Sequence, residues 1–339
     1  MRFTVQIINY LTAAYLEICI DSLLAAAKGY DVEILVSDNN SGDPDYPALA
    51  SKYSNIAFET NEINLGFGAA HNELAKKATG NYLVILNPDI IVPETFFQKL
   101  LLTIETNPEF GAIGCRMING SGTFLKESKR GAPTIWNSFC YFSKLSLLFP
   151  KSKVFAGYHV GWIPERALSV VPVLSGACMV LLKSTYLNEG GFDERFFMYG
   201  EDVELSERLL KKGYKNYYQG GLTVLHYKGR SSAQKAESIK YFYNAIWVYW
   251  KIKLGISKDG IKTSKFKGVS ESERSILSRQ KEEDQKRGRN KEIEVGTDMG
   301  YAQVIEYIET KKESGIVLTK KGCSWALSPK GKLPRFGEN

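Results

Sequence analysis

The sequence is short of the features that define membrane-spanning, disulfide-stabilised and zinc-binding proteins. Its 339 residues contain no run of 18 or more apolar residues, and the longest candidate, residues 241–254, is interrupted by Asn244, Lys251 and Lys253. Because a helix needs about 20 mostly apolar residues to cross a bilayer, we expect no membrane span. The five cysteines form no CxxC pair, which argues against a disulfide framework or a zinc site and favours a reducing, cytoplasmic environment.

Three further features narrow the range of possible functions. The N-terminus enters a strand-like segment without a basic region, a long apolar stretch and a cleavage site, so we expect no signal peptide. The net charge is +7, but only +2 of it lies on the first 255 residues, so no nucleic-acid partner is expected. No glycine-rich phosphate loop follows the first predicted strand, where a nucleotidyltransferase or a dehydrogenase would have one.

Short β-branched runs alternate with helical patterns in the first 115 residues. The predicted strands are residues 3–8, 32–36, 56–59, 82–86 and 112–115, and the predicted helices are residues 15–28, 46–53, 68–78 and 93–106. This alternation predicts an α/β fold with a mostly parallel sheet and helices on both faces. Ligands of such sheets bind at the carboxyl ends of strands, so the residues that follow each strand are the first site candidates.

The later part of the chain is less regular. Residues 119–172 predict an insertion or a flexible loop region. The elements predicted after it are a buried strand (173–182), two short strands (215–218 and 222–225), an aromatic helix (233–254) and a further helix (301–312). The composition changes after Gly255, and a run of mixed charge at residues 279–294 predicts a solvated helix or linker.

Polar residues follow four of the predicted strands. Asp38, in SDNNSGD, is placed to accept hydrogen bonds from a nucleobase or a ribose, or else to form an Asx turn. In NLGFGAAHN, residues 64–72, a flexible backbone leads into a helix whose N–H groups can hold phosphate oxygens. Asp89, in LNPD, is a candidate ligand for a divalent metal that bridges a diphosphate, although Asn-Pro-Asp is also a strong turn sequence. His226 closes a strand and either completes such a metal site or has a structural role.

Two adjacent carboxylates, Glu201 and Asp202, begin an amphipathic helix after an aromatic loop. Leucines at helical spacing would face the core and anchor this helix. Carboxylates are favoured in a first turn because unpaired N–H groups and the helix dipole stabilise negative charge there. The local pattern therefore fits a simple helix cap as well as it fits a catalytic pair.

Taken together, the motifs resemble the inverting family 2 glycosyltransferases of the GT-A fold, specifically the bacterial branch that includes rhamnosyltransferases and related enzymes of cell-surface polysaccharide assembly. The resemblance covers about residues 3–250. It rests on IINY (7–10), SDNNSGD (37–43), NLGFGAAHN (64–72), LNPD (86–89) and the combination of GGFDERFFMYGEDVELSERLLKKGY with VLHYKG. It implies a Rossmann-like, mostly parallel sheet with helices on both faces, followed by a helical, charged C-terminal extension.

The resemblance also implies a role for each matching residue. Asp202 would be the general base with Glu201 in support, and Asp89 and His226 would hold a Mg or Mn ion. The nucleotide- and donor-binding residues would be Asn9, Tyr10, Asp38, Asn64, Gly66, Gly68, Asn72 and Asn87. Asn87 stands where the family's DXD element has its first carboxylate, so metal binding without the donor diphosphate should be weak.

The implied function is transfer of a sugar, with inversion, from a nucleoside diphosphate donor of the dTDP-rhamnose or UDP-hexose type. The acceptor would be a hydroxyl group of a glycan or lipid-linked molecule in bacterial cell-surface polysaccharide biosynthesis. The catalytic domain would span residues 1–255, with a nucleotide-binding half (1–118) and an acceptor or catalytic half (119–255), and residues 256–339 would form an extension of unknown role. The alternative is a non-catalytic homologue that binds a nucleotide sugar or acts as a scaffold.

The aromatic helix leaves contact with a membrane open. Trp247, Tyr249 and Trp250, followed by two lysines, suit either a bilayer surface beside a lipid-linked acceptor or a core helix that packs under the active site. The basic C-terminal tail favours attachment to anionic lipid. The predicted location is therefore cytoplasmic, either free or peripheral at the inner face of the plasma membrane. The sequence indicates neither the oligomeric state nor the identity of the donor sugar.

Overall fold

A nine-stranded sheet forms the centre of the protein in a computed structural model that describes residues 1–227, 233–256, 291–294, 299–311, 316–320 and 323–327. The strands are β1 (Arg2–Asn9), β2 (Asp31–Asp38), β3 (Ala57–Thr60), β4 (Tyr82–Leu86), β5 (Ile90–Ile91), β6 (Phe110–Ile118), β7 (Lys129–Arg130), β8 (Leu168–Val170), β9 (Val173–Leu174), β10 (Cys178–Leu182), β11 (Lys215–His226), β12 (Lys291–Glu294), β13 (Ile316–Lys320) and β14 (Cys323–Leu327). The helices are α1 (Ala13–Ala26), α2 (Tyr46–Lys52), α3 (Phe67–Lys77), α4 (Phe96–Thr106), α5 (Ile135–Phe142), α6 (Leu145–Leu148), α7 (Lys183–Asn188), α8 (Glu201–Lys211), α9 (Ala233–Lys253) and α10 (Tyr301–Lys311).

The strand order of the central sheet is β3-β2-β1-β4-β10-β6-β11-β5, with β8 beside β11. Strands β3, β2, β1, β4, β6 and β11 run in one direction, whereas β10, β5 and β8 run antiparallel to their neighbours. The predicted mostly parallel sheet is therefore confirmed. A separate three-stranded sheet joins β12, β13 and β14, and β7 pairs with β9.

Helices cover both faces of the sheet, as predicted. In β4, Val84 and Leu86 join the cluster that packs against α1, α2 and α4, whereas Leu83 and Ile85 join the cluster that packs against α3 and α8. Successive side chains of a strand point to opposite faces, so a strand buried on both faces is apolar throughout. This explains why the central strands were recognisable as short continuous apolar runs.

Three predictions about the later elements were wrong. The expected strand 173–182 is interrupted at residues 175–177, which separate β9 from β10. The two short strands expected at residues 215–225 are one strand, β11, whose pairing with β6 shifts register between Gln219 and Thr223, around a Gly-Gly pair. Residues 119–172 are not merely a loop region, because they contain α5, α6, β7 and β8.

Helix α10, which was predicted at residues 301–312, packs on the central domain. Its Val304, Ile305 and Ile308 are buried in a cluster with residues of α1, β5 and β11. Glu94 accepts hydrogen bonds from the first two N–H groups of α10, at 2.6 and 2.8 Å, which satisfies donors that a helix start leaves unpaired. Of the mixed-charge run, residues 291–294 form strand β12 rather than a helix or linker, and residues 279–290 lie outside the described residues, as does the basic tail.

Candidate active site

Asp202, the predicted base, lies in the first turn of α8 and binds a half-buried arginine. Its Oδ2 atom accepts hydrogen bonds from Nη2 of Arg130 at 2.5 Å and from the N–H of Gly176 at 3.0 Å. Burial lowers the pKa of Arg130, but the charge and hydrogen bond of Asp202, together with other nearby acidic groups, outweigh that effect and raise the pKa above its usual range. The arginine therefore stays charged beside Asp202.

Glu201, the other carboxylate of the pair, has a different environment. Burial raises the pKa of its carboxyl group from 4.5 to about 8, and the charge of Asp202 adds to the rise. Its Oε2 atom is buried and has no hydrogen-bond partner in the described part of the chain. Two adjacent buried carboxylates do not readily ionise together, so Glu201 keeps its proton to a higher pH than an exposed carboxyl group does.

The break between β9 and β10 connects this pair to the end of β4. Gly176 donates its N–H to Asp202, and the carbonyl of the next residue, Ala177, accepts the N–H of Asn87 at 2.8 Å. A Cβ atom at position 176 would lie 3.2 Å from the Cβ of Asp202, so little room exists for a larger residue. The two-residue bridge brings α8 and the LNPD segment to the same edge of the sheet.

Asp89 and His226 meet at this edge because β5 pairs antiparallel with the end of β11, with Ile90 opposite His226. Oδ1 of Asp89 lies 3.2 Å from Nε2 of His226. The side-chain amide nitrogen of Asn87 lies 3.5 Å from the same ring nitrogen. A carboxylate, an imidazole and an amide therefore converge just beyond β4.

The Asp89–His226 pair has the chemistry and spacing of a divalent-metal site. Two ligands at right angles, each about 2.1 Å from an ion, are about 3 Å apart, close to the observed 3.2 Å. The other ring nitrogen of His226 is buried and makes no hydrogen bond to any described residue, so no second contact fixes the ring as a purely structural one. Within the described ranges no set of three or more His, Cys, Asp or Glu side chains could hold a metal ion, so further ligands would have to come from the Asn87 amide oxygen, a bound diphosphate and water.

Asp38 and Asn9 form one hydrogen-bonded unit at the ends of β1 and β2. The Asn9 amide donates to Oδ1 of Asp38 at 2.7 Å, while the hydroxyl and N–H groups of Ser41 donate to the two carboxylate oxygens. The Asp38 carboxylate thus bonds within its own turn, but to the N–H three residues on, whereas an Asx turn uses the N–H two residues on. Both residues are buried, and Tyr10 follows them half-buried at the start of the β1–α1 connection.

The glycine loop before α3 is held from both sides. Oδ1 of Asn64 accepts hydrogen bonds from the Asn39 side chain and from the N–H of Gly66, both at 2.9 Å. Gly66 has φ +83°, and a Cβ there would lie 2.4 Å from the carbonyl oxygen of Phe197, which accepts the N–H of Phe67. The loop that precedes α8 is thus in direct contact with the loop predicted to bind the donor.

Asn72 and Gly68 contact the same loop from α3. Asn72 donates to the carbonyl of Phe192 at 2.9 Å, and its Oδ1 accepts from the N–H of Phe192 and from the hydroxyl of Tyr186. A Cβ at Gly68 would lie 3.0 Å from the Cβ of Phe192. These contacts position the loop before α8, and the predicted contact of Asn72 and Gly68 with a donor stays a prediction.

Three residues of the site were missed by the sequence analysis. Arg130 lies in a region with no regular pattern, and Gly176 lies inside an apolar run that resembles a continuous strand. Asn39 was recognised only as a turn residue, yet its amide binds Asn64, the carbonyl of Gly66 and the N–H of Leu65. No local signal identifies Arg130 as a partner of Asp202, because 72 residues separate them.

One protein family and several proteins of known name are similar to this chain. The family model described as "Glycosyl transferase family 2" matches residues 4–168. The chain is 29% identical over 242 residues to the N-acetylglucosaminyl-diphospho-decaprenol L-rhamnosyltransferase of Mycobacterium tuberculosis, covering 68% of this chain and 78% of the relative. It is 23% identical over 224 residues to Rhamnosyltransferase WbbL of Escherichia coli, covering 63% of this chain and 78% of that protein.

Among solved structures, the mannosyltransferase PcManGT from Pyrobaculum calidifontis, in complex with GDP-Man and Mn2+, has a similar fold. The TM-score is 0.51 at 16% sequence identity, over 76% of this chain and 65% of that one, so the chain spans just under two thirds of that protein. The fold is of the GT-A type. Residues 4–168 match a glycosyltransferase family 2 domain, and the protein is a glycosyltransferase, as the sequence motifs implied. Glu201, Asp202 and His226 lie beyond the matched residues 4–168, so their roles rest on the geometry described above.

Proposed function

We propose that the protein transfers a deoxyhexose or hexose, with inversion, from a nucleoside diphosphate sugar to a hydroxyl group of a lipid-linked glycan acceptor. The named activity of the Mycobacterium tuberculosis relative, rhamnosyl transfer to a decaprenol-linked sugar, supports both the donor class and the acceptor class. The assignment extends to bacterial cell-surface polysaccharide assembly, and it is consistent with a peripheral position at a membrane that presents the acceptor.

The observation that carries the mechanism is the contact of the Asp202 carboxylate with Arg130 and Gly176, beside a Glu201 whose pKa burial raises to about 8. Asp202 accepts the proton of the acceptor hydroxyl as the acceptor oxygen bonds to the anomeric carbon of the donor sugar. The bond between that carbon and the diphosphate oxygen breaks in the same step, through a state with oxocarbenium character. A positioned base typically contributes about 100- to 10,000-fold to such a step.

The groups around Asp202 orient its carboxylate and limit the negative charge beside it. Arg130 and the N–H of Gly176 both bind Oδ2 and fix the orientation of the carboxylate. Glu201 lies buried behind it, close to α3, and as a neutral acid it adds no second negative charge to the site where an anionic donor must bind. Glu201 is therefore a positioning residue rather than a second base.

The donor diphosphate lies at the edge formed by Asp89, His226 and Asn87 in this proposal. A Mg or Mn ion bound there would supply Lewis-acid stabilisation of the leaving nucleoside diphosphate. Asp89 and His226 would hold the ion, and Asn87 would contribute an uncharged amide. Asp38, Asn9 and Tyr10 lie at the ends of β1 and β2, where a nucleoside would be bound, and the loop from Asn64 to Gly68 faces the donor sugar.

The proposal is tested with a panel of dTDP- and UDP-sugars and a polyprenyl diphosphate-linked N-acetylglucosamine acceptor, with release of nucleoside diphosphate as the readout. We expect acceptor-dependent release with one donor class and loss of turnover in Asp202→Asn with donor binding retained. Asp21→Asn is the matched control, because Asp21 is equally buried, at 8% exposure, but belongs to the α1 core. Donor binding by the wild type without any turnover would instead support the non-catalytic alternative.

A further inference from the structure

The segment between β7 and β8 presents an apolar face to solvent. The α5–α6 face consists of the exposed side chains of Ile135, Trp136, Phe139, Phe142, Leu147, Leu148, Phe149 and Val154. Ile135, Phe142 and Leu148 are 75%, 69% and 72% exposed. Soluble proteins rarely expose so many large apolar side chains in one short segment unless that surface binds something.

The α5–α6 face is built on an ordered base. The hydroxyl of Thr134 accepts the N–H of Asn137 and so caps α5, and the Asn137 side chain donates to the carbonyl of Ala132. Cys140 is buried, and the ring of Tyr141 lies 4.6 Å from that of Tyr158. These contacts hold one side of α5 against the protein. The opposite side of the helix therefore faces solvent in a fixed orientation.

The charges around the face favour an anionic partner. Between residues 128 and 164 the sequence contains five lysines and arginines and neither aspartate nor glutamate. Lys144, Lys151 and Lys153 are exposed beside the apolar side chains. Aromatic and aliphatic residues flanked by lysines are the composition of segments that lie in the interface of an anionic bilayer.

The dimensions fit a segment that rests on a membrane. Helix α5 has 8 residues, which gives a length of about 12 Å, against about 30 Å for the hydrocarbon core of a bilayer. None of the helices in the described ranges is long and apolar enough to cross a membrane.

The face adjoins the proposed base along the chain. Arg130, which binds Asp202, precedes the first residue of α5 by five positions, and the N–H of Gly131 donates to the carbonyl of Tyr158 beneath the helix. We propose that the α5–α6 face docks the enzyme on an anionic bilayer surface and so brings Asp202 to the hydroxyl of a lipid-linked acceptor. This proposal rests on the proposed function for its acceptor, but docking itself is measured separately.

The test uses flotation of the full chain with phosphatidylglycerol-containing vesicles and with purely phosphatidylcholine vesicles. We expect binding to the anionic vesicles that weakens with salt. The triple variant Trp136→Ser, Phe142→Ser, Leu148→Ser should partition onto the anionic vesicles at least about tenfold less than the wild type. Each substitution removes apolar area from the contact with the bilayer. A second triple variant should lose the preference for anionic lipid. It combines Lys144→Gln, Lys151→Gln and Lys153→Gln. Leu102→Ser removes an apolar side chain that is 61% exposed on α4 and should bind vesicles like the wild type.

Several outcomes would overturn the docking proposal. These are absence of vesicle binding by the wild type, full binding by the triple variant, or loss of binding only in Tyr243→Ser, Trp247→Ser, which would move the contact to α9. A dimer of the wild type in light scattering that dissociates in the triple variant would identify a second copy of the chain as the occupant. Circular dichroism and transfer to a water-soluble, short-chain acceptor verify that the triple variant is folded and active. If the proteins bound vesicles as expected but none of them transferred a sugar, the result would count against the proposed function and not against the docking surface.

Discussion

Arg130 donates a hydrogen bond to Asp202 while the same terminal nitrogen, Nη2, also contacts the carbonyl of Leu174, at 2.5 and 3.2 Å. The first contact holds the carboxylate and the second ties the arginine to β9. Because β7 and β9 are paired, with Arg130 opposite Val173, the arginine reaches Asp202 from a fixed backbone position. The orientation of Asp202 is therefore set by the strand pair rather than by α8 alone.

Replacing Arg130 should reduce turnover more than it reduces donor binding. We expect Arg130→Met to lower kcat by about 10- to 100-fold, the range that misplacement of a reacting group costs, with the donor KM little changed. Steady-state kinetics measure kcat and the donor KM, and Arg130→Lys should recover part of the loss.

Lys129→Met is the matched control for this prediction. Lys129 is the neighbouring cation of β7, but its ammonium group donates to the carbonyls of His159 and Val160 instead of to Asp202. If both variants lost kcat equally and Arg130→Lys recovered none of the loss, Arg130 would merely support β7.

Glu201 should make the stability of the protein depend on pH. Its pKa rises from 4.5 to about 8 in the folded state, so the unfolded chain releases this proton at lower pH than the folded protein does. The contribution of Glu201 to the free energy of unfolding is therefore fully present below pH 4.5 and is lost as the pH rises towards 8. The side chain of Glu201→Gln stays neutral at both pH 5 and pH 8. Urea unfolding at these two pH values should therefore show that the free energy of unfolding of the variant rises relative to that of the wild type as the pH increases. The exposed Glu73→Gln should show no such trend, and a pH-independent difference for Glu201→Gln would contradict the prediction.

Much of the fold followed from the sequence because the central strands carry their own signal. β1, β2 and β4 are short runs of mostly apolar, often β-branched residues separated by helical patterns, and each lies within a few residues of its predicted bounds. The ends of β1, β2 and β4 and the start of α8 were likewise recognisable, since turn residues and carboxylates there break an apolar pattern. Elements whose ends depend on long-range contacts were less well predicted.

The parts that were missed depend on residues far apart in the sequence. Gly176 interrupts an apolar run only because its N–H bonds to Asp202 instead of to a neighbouring strand. Arg130 has no local pattern, and its role emerges only when β7 pairs with β9. Asn72 has its amide directed at Phe192, a contact across 120 residues that no spacing rule reveals.

Removal of metal should abolish transfer, and the pair Asp89–His226 should determine how much metal is needed. We expect EDTA to suppress activity and Mg or Mn to restore it. His226→Ala should raise the Mn concentration for half-maximal activity by at least about tenfold, the lower end of the loss that even outer-shell partners of a metal cause. Isothermal titration should show weak Mn binding alone and stronger binding with a nucleoside diphosphate, because Asn87 offers no charge.

His71→Gln is the control for the metal prediction. His71 is a buried residue of α3, and burial lowers its pKa to about 3. Its ring lies close to Gln6 rather than to the LNPD segment. Its replacement should leave the metal requirement unchanged even if it costs stability. Full activity of the wild type in chelator would contradict a metal at this edge.

Gly66 should be less tolerant of alanine than another glycine with nearly the same backbone angle. Gly66 and Gly29 have φ values of +83° and +84°, but a Cβ at position 66 would lie 2.4 Å from the Phe197 carbonyl oxygen, whereas nothing lies within 4 Å of one at position 29. Backbone strain alone should cost Gly29→Ala about 1–3 kcal/mol in the free energy of unfolding. Gly66→Ala should cost more in urea unfolding and should also raise the donor KM, because the clash separates the donor loop from the loop before α8. Equal losses in both variants, with the donor KM unchanged, would mean that the Gly66–Phe197 contact has no part in donor binding.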